Sequence, residues 1–362
     1  MPIIFNNNMY IYLISYGIIP LLVIYGICYN KQHHNVNTND NYLSKQTTNA
    51  MRGLCILIIM LHHTTIDMAY KGYMKPFLEV GYLSVSIFLF LSGYALMISF
   101  LHKKDYLRGF ITKRIGRIYL PFLIVNIIYI VLYNVLLKTH YGLKNVLYTS
   151  LTVQFIDYVL WYVKITIFFY VVFYVSLKLF NKKNIFRTLI ISSILYIIAC
   201  RYVFKLDTYW YNTVFCFPIG TGFALYKDKI NSFFKKYYLQ TMLITVLGFG
   251  ITFIIYHKNI LLGTMFNIAS SIFFTLFVAT FVYKINIYSK VLAFVGKIAF
   301  EMYLIHLILL QIYFKTTSIK GSYNMFIFYA LTIISAYILK TACDFKFRRK
   351  TATKIKSKII AD

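Results

Sequence analysis

From Met9 to Cys343 the chain is a succession of apolar stretches, each about as long as a bilayer is thick, joined by short basic connections. No other feature limits its fold so strongly. The hydrocarbon core of a membrane, about 30 Å deep, takes about 20 apolar residues when they are helical. A backbone in that medium must satisfy its own N–H and C=O groups, which unbroken apolar runs do as α-helices. Only 13% of the 362 residues are charged and 60% are hydrophobic, against roughly 25% charged in a soluble domain. The expected fold is all-α, a polytopic bundle of about eleven transmembrane helices.

The runs are Met9–Cys28, Met51–Ile66, Glu79–Leu101, Arg117–Leu137, Val159–Phe180, Phe186–Phe204, Tyr209–Tyr226, Leu239–Tyr256, Gly263–Tyr283, Val291–Phe314 and Tyr323–Cys343. The second is short for a bilayer, which suggests local thinning of the membrane or a helix lining a cavity. Residues 1–50 read as an extra N-terminal helix with a polar cytoplasmic loop, 51–343 as the main membrane domain, and 344–362 as a basic cytoplasmic tail. The N-terminal octapeptide lacks the basic segment of a cleavable signal peptide.

A net charge of +28 would point to nucleic acid in a soluble protein. Here it follows sidedness instead. Alternate connections carry 28 of the 38 Lys and Arg on one side and 10 on the other. The richer side is cytoplasmic by the positive-inside rule, which places the N-terminus outside and the C-terminus in the cytoplasm. The expected location is a bacterial inner membrane, with lipid as a partner and no nucleic acid. Five cysteines, without a CxxC or a neighbouring His, read as packing residues, so no metal site is expected.

Against this apolar background a few polar residues stand out. Arg52 opens the second run and His62-His63 close it. Arg52 and His63 are eleven residues apart, so on a helix they share a face about 16 Å apart. Ionisable groups in a membrane segment are costly and mark sites of binding or transfer. His62 is expected to be an interfacial neighbour. Ser92-Gly93 in the third run forms a notch for another backbone, with a hydroxyl able to bond across it. Arg114, Arg117 and Tyr119 stand at the cytoplasmic entry of the fourth run. They can anchor topology, or clamp phosphates through their guanidinium forks. Trp161-Tyr162 open the fifth run at the outer face. Pro218, Gly220 and Gly222 break the seventh. Glu301, Tyr303 and His306 lie in the tenth, with Arg52 the expected partner of Glu301.

Taken together and in order, these motifs resemble the integral-membrane acyltransferase family 3, bacterial enzymes that O-acylate polysaccharides and similar acceptors. The resemblance rests on Arg52-Gly53 with His63, the Gly81–Tyr94 run, Arg114–Pro121, Trp161-Tyr162, the Gly220 segment and Tyr303-Leu-Ile-His306. The Met9–Cys28 helix is extra to the usual ten, and Ser86 stands where an Asp often follows the Val. No hydrolase-like domain follows, so any hand-off to one would be in trans or absent.

The resemblance implies an acyl-CoA co-substrate, most often acetyl-CoA, no permanently bound cofactor, and a hydroxyl acceptor on a glycan. It implies donor contacts at Arg52, Arg114, Arg117, Ser92 and Tyr119, and acceptor or cavity contacts at Trp161, Tyr162, Tyr303 and His306. His63, Arg52 and Glu301 are the expected catalytic group, with His63 as general base or transient acyl carrier and Glu301 orienting Arg52 or an imidazole. The alternative reading is a transporter or flippase for a glycan or lipid-linked intermediate, using the same intramembrane charges as a relay.

Overall fold

The computed structural model describes residues 3–5, 7–33, 42–151, 160–180, 182–258, 263–316 and 321–359. Part of the polar loop, 34–41, and the side chains of the basic tail from Lys346 onward lie outside the described residues. Among the described residues there is no strand, only isolated bridges between Ile3 and Met68 and between Asn7 and Gly321.

Thirteen helical elements carry the fold. They are α1 (Met9–Cys28), α2 (Lys45–Asp67), α3 (Gly81–His102), α4 (Gly116–Leu137), α5 (Leu143–Leu151), α6 (Trp161–Leu179), α7 (Ile185–Ile198), α8 (Cys216–Leu225), α9 (Lys227–His257), α10 (Gly263–Lys284), α11 (Lys290–Lys297), α12 (Ala299–Thr316) and α13 (Asn324–Ile359). By length and composition eight described helices can cross a membrane, or nine if the bent pair α11–α12 counts as one span.

Three of the expected spans differ in form. The second run is not short. Helix α2 starts at Lys45, where the Ser44 hydroxyl accepts a hydrogen bond from the Thr47 N–H at 3.1 Å. This side-chain cap satisfies an N–H that the first turn leaves open, so the polar stretch 45–50 continues the helix instead of forming a loop. The seventh run is not one helix. A 3₁₀ turn at Thr208–Trp210 precedes the ten-residue α8, about 15 Å long. Pro218 lies in its first turn, where a missing N–H costs nothing. The tenth run bends by 76° between α11 and α12.

Helix α2 is long enough to span but too polar to count among the apolar spans. It is an interior helix, packed against α3, α11 and α12, with most of its residues from Thr47 to Thr65 buried. Lipid-facing helices such as α9 leave large apolar side chains outside instead.

Two crossings hold this centre, and in each a pair of glycines lets two backbones touch. A Cβ on Gly53 would lie 2.0 Å from the Leu292 carbonyl oxygen, and one on Gly296 would lie 1.7 Å from that of Asn49. Thus α2 meets α11 backbone to backbone. Between α3 and α8, a Cβ on Gly93 would meet the Phe217 carbonyl oxygen at 2.1 Å, and one on Gly220 that of Phe90 at 1.9 Å. Small residues at membrane helix crossings give close van der Waals contact where the hydrophobic effect offers no drive. The Ser92-Gly93 notch and Gly220 are therefore two halves of one joint, whereas Gly222 faces the Phe186 ring.

Helix α1 is tied to the rest along its length: the Tyr10 N–H donates to Ser322 Oγ at 3.3 Å, and a Cβ on Gly26 would lie 2.7 Å from the Tyr288 carbonyl oxygen. The Tyr16 hydroxyl donates to the Tyr73 carbonyl in the 3₁₀ segment Gly72–Leu78, and the Tyr16 ring lies 5.6 Å from Phe77.

Candidate active site

Residues from α2, α3, α4, α6, α11, α12 and α13 enclose a cavity of about 630 Å³. Six cations line it: Lys45, Arg52, Arg114, Arg117, Lys297 and Lys340, with Glu301 and Asp344 as the acids. All six belong to the cation-rich side of the charge split. Deeper in the wall are Ser92, Tyr162, Thr166, Tyr170 and Tyr303. The structure thus brings Arg52, Arg114, Arg117, Ser92, Tyr162, Glu301 and Tyr303 to one space from five helices and the segment before α4.

The guanidinium of Arg52 donates to Asn49 Oδ1 at 3.3 Å and to the Leu91 carbonyl at 3.4 Å. Both bonds are long, and they anchor the fork at the wall. Because Gly53 faces α11, the neighbouring Arg52 is turned about 100° around α2, towards the cavity. Arg114 donates to Ser99 Oγ at 3.3 Å and lies over the Tyr106 ring, 5.4 Å from its centre. Burial raises the Tyr106 phenol above its ordinary pKa, and Arg114 works against that shift.

Glu301 does not pair with Arg52. Its Oε1 accepts from Lys340 Nζ at 3.3 Å, joining α12 to α13 across the cavity wall. Lys340 stands alone among apolar residues in the last span, a signal that the sequence offered. Counting Lys45, Lys297 and Lys340 only as topological charges concealed their place here, as did the absence of any motif around Tyr170.

His63 does not line the cavity with Arg52. It is buried one ring behind the wall, its imidazole centre 5.1 Å from that of His306. The His306 ring is in turn 5.9 Å from Tyr303, and Tyr303 is 5.3 Å from Tyr162. A file of rings therefore leads from the cavity floor to the two histidines. The His306 Nδ1–H donates to the Tyr303 carbonyl at 2.7 Å, with the Met302 carbonyl at 3.2 Å. That bond leaves the Nε2 of the neutral ring without a proton, and this nitrogen is buried with no hydrogen-bond partner.

The other expected residues lie elsewhere. His62 bonds through Nδ1 to the Phe77 carbonyl at 2.9 Å and rests against Gly81, where a Cβ would strike its ring. Its ring also lies 4.8 Å from that of His63. Trp161 is buried against Tyr209 and Trp210 at 5.6 and 6.3 Å, outside the cavity lining. Tyr119 packs 5.9 Å from Phe122 and does not reach the cavity either, because its side of α4 faces away. Among the described residues no group of three or more His, Cys, Asp or Glu is arranged to hold a metal ion.

A family model described as an acyltransferase domain matches residues 47–342. No curated protein and no solved structure matches the chain.

Proposed function

The chain belongs to that acyltransferase family, and from this premise we propose that it moves an acyl group, acetyl in the first instance, from cytoplasmic acyl-CoA to a hydroxyl of an exported glycan. One observation carries the reading. Arg52, Arg114 and Arg117 converge on a cavity whose floor, Tyr162 and Tyr303, abuts the buried His306–His63 pair.

In this reading the arginines hold the donor's phosphates at the mouth, since planar forks suit phosphate oxygens. The pantetheine arm runs inward towards the tyrosines and delivers the thioester to the histidines. The acceptor oxygen bonds to the thioester carbonyl carbon while its proton passes to His63. The C–S bond then breaks, and the departing sulfur takes up a proton to leave as free CoA thiol. A neutral imidazole is suited to both transfers near pH 7. His306 is the neighbouring group to which that proton can move. If His63 instead carries the acyl group transiently, the ester forms in a second displacement from its ring nitrogen. Glu301 keeps Lys340 at the cavity wall instead of orienting Arg52.

The cavity opens on the cation-rich side, which the positive-inside rule assigns to the cytoplasm, where acyl-CoA is made. The test is direct. Inner membranes containing the protein are incubated with labelled acetyl-CoA, and surface glycans are compared by mass spectrometry with and without the gene. Label consumed and acyl groups added support the reading. Donor left intact while a glycan intermediate still crosses the membrane would put the transporter reading in its place.

A further inference from the structure

Beside the main cavity lies a second concavity of about 390 Å³, lined by Lys103, Lys104, Asp105, Tyr106, Arg108, Phe110, Lys113, Arg114 and Arg117. Arg114 and Arg117 line both spaces, so the two adjoin at these residues. Six of its nine lining residues are cations and one is an acid.

This concavity is built, not merely a loop rich in lysine. Phe110 is buried, its ring 5.6 Å from Tyr106, 6.0 Å from Phe173 and 5.6 Å from Tyr174. That plug fixes the segment joining α3 to α4. Two residues with positive φ, Asp105 at 50° and Gly109 at 71°, turn the chain around it. The Arg108 N–H closes the first turn on the Asp105 carbonyl at 2.9 Å. The basic side chains are thereby crowded over one hollow.

We propose that this second concavity seats the 3′-phosphate of the donor nucleotide. The inference rests on the acyl-CoA reading and adds to it a division of labour. Coenzyme A carries two anionic groups, a pyrophosphate and a 3′-phosphomonoester, separated by a ribose. The protein has two adjoining cationic spaces separated by Arg114 and Arg117. The pyrophosphate lies in the main cavity beside Arg52, with the pantetheine arm continuing to Tyr162 and Tyr303. The phosphomonoester lies among Lys104, Arg108 and Lys113, and the two shared arginines bridge the groups. A phosphomonoester near pH 7 has close to two negative charges and three acceptor oxygens, which suits several cations at once.

The experiment measures equilibrium binding of acetyl-CoA and of acetyl-dephospho-CoA to the full chain in phosphatidylcholine nanodiscs, where no anionic headgroup competes. The parent is expected to bind acetyl-CoA at least about tenfold more tightly than the dephospho form. The Lys104→Ala/Arg108→Ala variant is expected to lose that preference while binding acetyl-dephospho-CoA as the parent does. Lys235→Ala/Lys236→Ala, basic residues on the same side but outside both spaces, should retain it. Equal binding of the two donors by the parent overturns the subsite and leaves the acyl-CoA reading standing. A loss by the variant that is the same for both donors also overturns it. So does an effect of the substitutions that emerges only after phosphatidylglycerol is added, since the cations would then be holding lipid. Binding of neither donor by the parent refutes the acyl-CoA reading itself, and this subsite with it.

Discussion

Replacing Gly53 with Ala tests whether the backbone contact between α2 and α11 positions the site. The new Cβ would lie 2.0 Å from the Leu292 carbonyl oxygen and 3.0 Å from the Gly296 nitrogen. Ordinary contact begins at 3.4 Å, so the two helices must part by about 1.4 Å at this point. Neither obstacle is a side chain that can swing away. Overpacking of this kind costs about 1–3 kcal/mol. The larger consequence is positional, because Arg52 and Lys297 sit on the separated helices and both line the cavity. A displacement near 1 Å at a reacting site can cost about 100-fold in rate. The expected outcome is a protein that still inserts, melts several degrees lower in detergent and has lost most donor binding and acyl transfer. Gly250→Ala is the control, since its Cβ meets nothing within 4 Å and alanine is the better helix former. If Gly53→Ala behaves like Gly250→Ala in melting and in donor binding, the crossing does not position Arg52.

Loss of either buried imidazole, in His63→Ala or His306→Ala, should lower acyl transfer per inserted protein by about 10²–10⁴-fold. His62→Ala, which removes the bond to Phe77 and the ring contacts to Gly81 and His63, should keep most of its activity. Glu301→Gln and Lys340→Met should each lower the melting temperature, and a double-mutant cycle should give a coupling of about 1 kcal/mol, because Lys340 keeps 33% exposure and water screens the pair; a coupling of zero would mean that the two only share a wall. A reporter fused after Lys358 should read as cytoplasmic, and reporters at Lys75 or Lys144 as external; an external C-terminus would put the donor cavity on the wrong side for acyl-CoA.

Each apolar run in the sequence marks a helical region, because lipid-facing residues have no other way to satisfy the backbone. What the pattern hid are the places where protein replaces lipid as the surroundings. Lys45 to Ala50 look like a loop by polarity, yet they form helix, since Ser44 caps the first turn and Thr47, Thr48 and Ala50 are buried against other helices. The same cause shortens α8: Gly220 was legible as a break, but its contact with the Phe90 carbonyl depends on where α3 lies. The site divides similarly. Arg52, Arg114 and Arg117 were readable as candidates from charge and spacing on one side of the membrane. Pairing was not, because Glu301 meets Lys340 through the packing of α12 on α13, across 39 residues of sequence.

The placement of His63 imposes a condition on any transfer. Arg52 and His63 share a face of α2, separated by about 16 Å along the axis, but only Arg52 opens into the cavity. Between them stand the rings of Tyr162 and Tyr303, 5.3 Å apart and edge to face. In the proposed reaction a thioester arriving from the phosphate end would reach the histidines only when those rings part or turn. On the proposed reaction Tyr162 and Tyr303 would therefore act as a gate as well as a floor. A donor long enough to push a thin arm between two rings meets this condition, whereas a bulky glycan entering from the same side does not. On the same reading the acceptor would approach the histidine pair from the opposite face, where His62 and the Gly72–Leu78 segment lie.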